Sequence, residues 1–217
     1  MGQAGRKQPV SEGTQLQQES AIKKHWFPVL AGIILLAIVG VFGYKYMTEE
    51  KIEVLKPIAD FTLDNSDGTT YTFNQSAGKV RLVEFMFTKC PDICPATTYN
   101  MAKLQDQLKE KGLFGDKVEF ISISFDPDND TPEVLQEYAA KFKADQSGWK
   151  FLRGDAQAVE KVTKDFGLMV MKQPDGSYAH TARMFLVDGE GNMRRAYGMA
   201  ADMDMEVMMK EMEQLAD

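Results

Sequence analysis

Residues 81–95 read Arg81-Leu82-Val83-Glu84-Phe85-Met86-Phe87-Thr88-Lys89-Cys90-Pro91-Asp92-Ile93-Cys94-Pro95 and hold both cysteines of the chain. The apolar run before Cys90 has the length and the Val and Phe content of a buried strand. Beyond Cys94, residues 96–111 read as a helix, with Met101, Leu104 and Leu108 at helical spacing and Gly112 where a helix should stop. The thiols are therefore expected on a strand-to-helix turn, at or just before a helix N-terminus. Amide groups and the helix dipole there favour anions, which lowers a thiol pKa and supplies thiolate near neutrality. Thiolate is the form that binds metal or attacks a disulfide. A permanent Cys90–Cys94 disulfide is geometrically allowed, but so small a loop constrains the unfolded chain little, and a domain of this size has a core without it. The pair reads as a reactive site.

Outward from this stretch, strands and helices alternate. Residues 61–63 and 70–73 read as a hairpin about Asn65-Ser66-Asp67-Gly68. Residues 117–125 read as a second central strand, ending at Asp126-Pro127-Asp128-Asn129-Asp130-Thr131-Pro132. There Asp130 or Thr131 caps a helix that runs to about Lys143, with Pro132 in its first turn. A short strand at 149–152, a helix at 156–166, a strand at 181–187, a second hairpin arm at 193–197 and a closing helix at 202–215 complete the pattern. This is an α/β sandwich, a central mixed sheet flanked by helices.

The chain has 217 residues, 44% apolar and 26% charged, enough for one packed domain and an appendage. Residues 1–24 are polar and aperiodic, and read as a disordered tail. From His25 to Tyr44 there is no charged residue; these 20 positions at about 1.5 Å each span roughly 30 Å, a bilayer core. With Trp26 and Tyr44 at its ends, the stretch 25–46 is read as one uncleaved transmembrane helix, followed by a linker at 47–57 and the globular domain at 58–217. Up to Lys45 the chain has five basic and two acidic residues, a net of +3; the other 20 basic and 30 acidic residues give −10. The positive-inside rule then puts the tail in the cytoplasm and the acidic domain outside, a single-pass cell-membrane protein. The acidic domain argues against nucleic acid as a partner. A thiol pair outside the cytoplasm must be reduced or occupied by metal if it is not to oxidise.

The soluble part has one histidine, His180, placed by this reading immediately before a strand, on the side of an α/β fold where sites form. At this point three motifs together carry a resemblance: Cys90-x-x-x-Cys94-Pro95 after an apolar strand, Asp126-Pro127-x-x-Asp130-Thr131-Pro132, and His180-Thr181 before an apolar strand. From Ile58 to the C-terminus the chain resembles the Sco/SenC family, membrane-anchored copper-binding proteins of thioredoxin-like fold. The resemblance implies that Cys90, Cys94 and His180 bind copper, as Cu(I) or Cu(II), with Asp126 near the site. It also implies a metallochaperone rather than an enzyme, one that assembles the CuA centre of cytochrome c oxidase subunit II and is supplied by a further copper donor protein. Two thiolates suit Cu(I), and an added imidazole makes a three-coordinate site that also accepts Cu(II). The alternative is a thiol–disulfide oxidoreductase that keeps the recipient's cysteines reduced, with Cys90 and Cys94 as its redox pair. Three residues between the cysteines, where thioredoxin-type motifs have two, and no proline in 179–183 favour metal. A mobile loop holding Gly176 is expected to let His180 release the metal stepwise. Of the six methionines from Met199 to Met212, Met205, Met208 and Met212 read with Leu215 as a core stripe, and Met199 and Met203 as the exceptions.

Overall fold

The computed structural model describes residues 26–41, 43, 51–174 and 177–216. The chain divides into two units, 1–51 and 52–217. In the first, residues 26–41 form a helix, α1, whose large apolar side chains are exposed. Among the described residues no helix is both long and apolar enough to cross a membrane. The span expected at 25–46 thus extends beyond α1 at both ends, and all of that remainder but Gly43 lies outside the described residues, as does the tail at 1–24.

The second unit is built on β4 (Val80–Met86) and β5 (Val118–Ser124), in which every residue is buried. Strands covered on both faces read as near-continuous apolar runs, which is why these two were legible. They pair in parallel, Val80 with Val118 through Met86 with Ser124, and β6 (Trp149–Arg153) continues the parallel set. Antiparallel strands close both sides. On one side lie β9 (Arg183–Val187), β10 (Asn192–Gly198) and β1 (Lys56–Pro57); on the other lie β2 (Thr62–Asn65) and β3 (Thr70–Thr72). A separate two-stranded ribbon, β7 (Val170–Lys172) and β8 (Tyr178–His180), stands outside this eight-stranded sheet.

Helix α2 (Ile93–Glu110) joins β4 to β5, and α3 (Pro132–Lys141) joins β5 to β6. Both lie over the face carrying Glu84, Ser122 and Phe151: Tyr138 of α3 meets Phe151 at 6.4 Å, and its hydroxyl shares a 2.9 Å hydrogen bond with Thr98 of α2. Thr131 is the cap of α3, accepting from the Val134 amide. Helix α4 (Ala156–Phe166), capped by Asp155 and stopped at the left-handed Gly167 (φ 76°), covers the opposite face through Phe166 against Phe85 and Phe185. Helix α5 (Met205–Ala216) packs against α2, burying Met208, Met209 and Met212.

Three differences from the sequence reading matter. Residues 52–57, read as linker, contain the buried Ile52 and the edge strand β1. His180 does not abut the strand read from Thr181; it ends β8, and β9 starts at Arg183. Met199 and Met203, read as exceptions to packing, are buried like Met208 and Met212, whereas Met205 and Leu215 of the stripe are only half-buried. Phe166 is only 3% exposed, between rings at 5.2 and 5.3 Å. Phe166→Ala should cost about 3–5 kcal/mol in urea unfolding; a loss below ~1 kcal/mol would mean that α4 does not hold this face.

Candidate metal centre

The turn after β4 places the two thiols. Strand β4 stops at Met86, the Cys90 amide bonds back to the Phe87 carbonyl (3.2 Å), and α2 begins at Ile93. Cys94 therefore lies in the first turn of α2 and Cys90 just ahead of it, as the spacing predicts. Both are free thiols, Cys94 fully buried and Cys90 almost so. The Cys94 amide donates to Cys90 Sγ at 3.4 Å. The Cys90 thiol is held down to about 5, chiefly by the hydrogen bond from the Cys94 thiol, against desolvation, with help from the amides of Asp92, Cys94 and Ile93. The Cys94 thiol is pushed up, first because it is that donor and then by burial. Near neutrality the turn thus carries one thiolate and one thiol.

Behind the pair lies a residue that the sequence reading passed over. Glu84 of β4 is fully buried, accepts from Ser122 Oγ (2.9 Å), and has no partner at Oε1. Ser122 is itself held by the Trp149 indole N–H (2.9 Å). Burial, above all, pushes the Glu84 carboxyl up to about 8, and the charge at Cys90 adds to it. A glutamate inside a strand that is apolar but for it and Arg81 was the available signal.

His180 comes from the β7–β8 ribbon. Its ring lies 5.0 Å from Phe125 and 6.4 Å from Phe87, with Tyr178 at 5.1 and 5.3 Å from the same two rings. Phe87 precedes Cys90 by three residues, and Phe125 follows β5, so the aromatic cluster stations the imidazole beside the cysteine turn. His180 Nδ1 is 3.1 Å from the Thr181 carbonyl; with the proton on Nδ1, that nitrogen donates and Nε2 presents the lone pair. Among the described residues no group of three His, Cys, Asp or Glu side chains stands close enough to hold a metal ion. The structure brings the two thiols together and leaves His180 on its own ribbon.

Asp126 is buried where the ribbon meets the body. It accepts from Tyr178 Oη (3.1 Å) and Asn129 Nδ2 (2.8 Å), and Lys172 pairs with Asp128 at 2.9 Å. The other acid of the quoted motif, Asp130, accepts from Thr88 and Ser124 and so ties the cysteine turn to the end of β5. Of the three acids in this loop, Asp126 and Asp128 thus bond to the ribbon and Asp130 to the cysteine turn. Gly176, expected to loosen the ribbon, lies outside the described residues.

The architecture is that of a thioredoxin-like domain. The SCO1/SenC family profile matches residues 49–217, and the chain belongs to that family. A SCO1/SenC family lipoprotein from Bacillus anthracis superposes with a TM-score of 0.71 at 35% identity, over 76% of this chain and 98% of that one. BsSco, described with a disulfide switch and as a member of the Sco family of cytochrome c oxidase assembly proteins, gives 0.67 at 29% identity, over 76% and 97%. Arabidopsis thaliana ScoI, with copper bound, gives 0.63 at 31% identity, over 72% and 98%.

Two outcomes follow from the site as it stands. Above pH 4.5 the unfolded chain has shed the Glu84 proton that the folded protein keeps to about 8, so this group favours the fold at low pH and the contribution is lost as pH rises through about 8. Cys90 acts oppositely: its contribution is present above 9.0 and is lost as pH falls through about 5. Glu84→Gln should remove the first limb alone. Urea unfolding of the reduced protein at pH 5 and pH 8 should show the variant gaining on the parent by up to ~1.4 kcal/mol per pH unit; a constant gap would place the proton elsewhere. Tyr178→Phe keeps the ring stack and deletes the bond to Asp126. Amide exchange in β7 and β8 should quicken about tenfold while β4 and β5 stay protected; unchanged exchange would mean that the aromatic stack alone holds the ribbon.

Proposed function

We propose that this protein is a copper metallochaperone in which Cys90, Cys94 and His180 take up one copper ion and deliver it to the CuA centre of cytochrome c oxidase subunit II. The observation that carries this reading is the donor set: two thiols in contact at a helix N-terminus, and an imidazole on a separate ribbon whose ring packs against Phe87, three residues before Cys90. Sulfur donors of this kind select Cu(I), and imidazole extends the site to Cu(II). The residues fit the cargo chemically. Cys90 already has a thiolate, Cys94 must give up its proton on binding, and His180 presents Nε2 if the ribbon moves toward the turn. Copper on ScoI and oxidase assembly by the family of BsSco support the same reading.

Delivery is served by the division of the site. The thiols sit on the rigid β4–α2 junction, whereas His180 sits on a ribbon held by ring contacts and a few polar bonds. Withdrawal of the ribbon leaves copper on two thiolates, from which a recipient's ligands displace it stepwise. Helix α1 and its flanks, read as a membrane anchor, would hold the domain outside the membrane near the oxidase, and the lipoprotein nature of the Bacillus anthracis relative is in line with membrane attachment.

A second reading rests on a specific observation. The thiolate at Cys90 and the protonated Cys94 are the attacking and resolving partners that disulfide exchange requires. The same pair would then reduce the recipient's cysteines before metallation. His180 separates the two readings, because exchange does not need it. In an anaerobic Cu(I) titration of the reduced protein, the parent should bind one copper per chain tightly, and His180→Ala should bind at least about tenfold more weakly. Weak binding by both, with rapid reduction of a protein disulfide by both, would establish the reductase instead.

A further inference from the structure

The β7–β8 ribbon has two faces, and the site uses one. Val170, Tyr178 and His180 point inward, where Tyr178 and His180 meet Phe87 and Phe125. The register pairs Val170 with His180 and Met171 with Ala179, so Met171 and Ala179 occupy the outer face. Met169 precedes β7 directly, and its carbonyl accepts the Thr181 amide at 3.1 Å, which carries the ladder one residue further. Two residues apart, Met169 and Met171 therefore share that outer face. They are 72% and 62% exposed, more than any other large apolar side chain described in the 52–216 region. The methionines of the C-terminal stretch are core by comparison; these two contribute almost nothing to packing.

We propose that Met169 and Met171 form a second, outer Cu(I) site, a thioether pair that captures Cu(I) and passes it to the Cys90–Cys94–His180 site. The proposal rests on the copper reading of that inner site. Thioether sulfur is a soft, neutral donor that selects Cu(I) over the harder divalent ions. Two positions on one face of a strand are about 6.6 Å apart along the chain. Three rotatable bonds in each side chain let both sulfurs converge on one ion. Neutral donors without a thiolate bind weakly and exchange fast, which suits capture, and they release no proton on binding. The ion held there lies on the strand hydrogen-bonded to that of His180, and the ribbon is two strands wide, so passage to the imidazole is around an open edge. No electron is transferred: Cu(I) leaves one set of neutral ligands for a set that includes thiolate, and the Cys94 proton it displaces passes to solvent.

An apolar docking patch is the competing explanation for two exposed methionines, and the substitution to leucine separates them by keeping apolar bulk while removing sulfur. The full-length reduced protein, labelled with 13C at its methionine methyls, is titrated anaerobically with Cu(I). The first equivalent is expected at the thiols; the second should shift the methyls of Met169 and Met171 and no others. The double variant Met169→Leu/Met171→Leu should keep the first equivalent, lose the second, and load the thiol site several-fold more slowly from a weak Cu(I) donor. Unmoved Met169 and Met171 methyls, or a second equivalent that survives in the double variant, would overturn the proposal. If those methyls shift with the first equivalent and the thiols bind none, the outer site stands and the inner reading falls.

Discussion

The site depends on a single hydrogen-bonded turn, in which the first turn of α2 closes onto Cys90. Its amides converge on one sulfur, and the neighbouring thiol donates to the same atom. That arrangement concentrates one negative charge on Cys90 while Cys94 and Glu84 both keep protons. Three acidic groups with one charge among them is what a buried cluster can hold, since each further ionisation lacks solvent and meets like charge. In the proposed copper site the cation would reverse the balance, displacing the Cys94 proton and adding positive charge where the turn has excess negative.

Everything around the turn serves to hold it still. The central strands β4 and β5 are buried throughout, so the point at which β4 ends is set by packing on both faces. Asp130 bonds Thr88 to Ser124, tying the start of the turn to the end of β5. Thr98 links α2 back to the Cys94 carbonyl and across to Tyr138. By contrast, His180 belongs to two short strands outside the main sheet, held by Phe87, Phe125 and the Tyr178–Asp126 bond. A rigid thiol pair and a looser imidazole are the division that the proposed copper delivery calls for.

The sequence made the frame legible because its strongest signals are periodic and local. Val and Phe runs marked β4 and β5, Thr131-Pro132 marked the start of α3, and Gly112 marked the end of α2. The cysteine turn followed from where a strand and a helix had to meet. The β7–β8 ribbon was missed because its six residues carry no alternation that separates them from a Gly- and Pro-containing loop, and half-buried short strands give no period to count. Glu84 escaped notice for the opposite reason: within a strand read as apolar, one acid was absorbed into the run. The bond from Tyr178 to Asp126 joins residues 52 positions apart, which no local pattern reveals. The edge strand β1 likewise depends on β10, more than a hundred residues away.

The central claim is that the imidazole of a separate ribbon completes a site begun by two thiols. X-ray absorption at the copper edge of the reduced protein loaded with one Cu(I) tests it most directly. The account predicts two sulfur neighbours and one nitrogen neighbour, with the nitrogen lost in His180→Ala. Coordination by sulfur alone, identical in the parent and the variant, would contradict it.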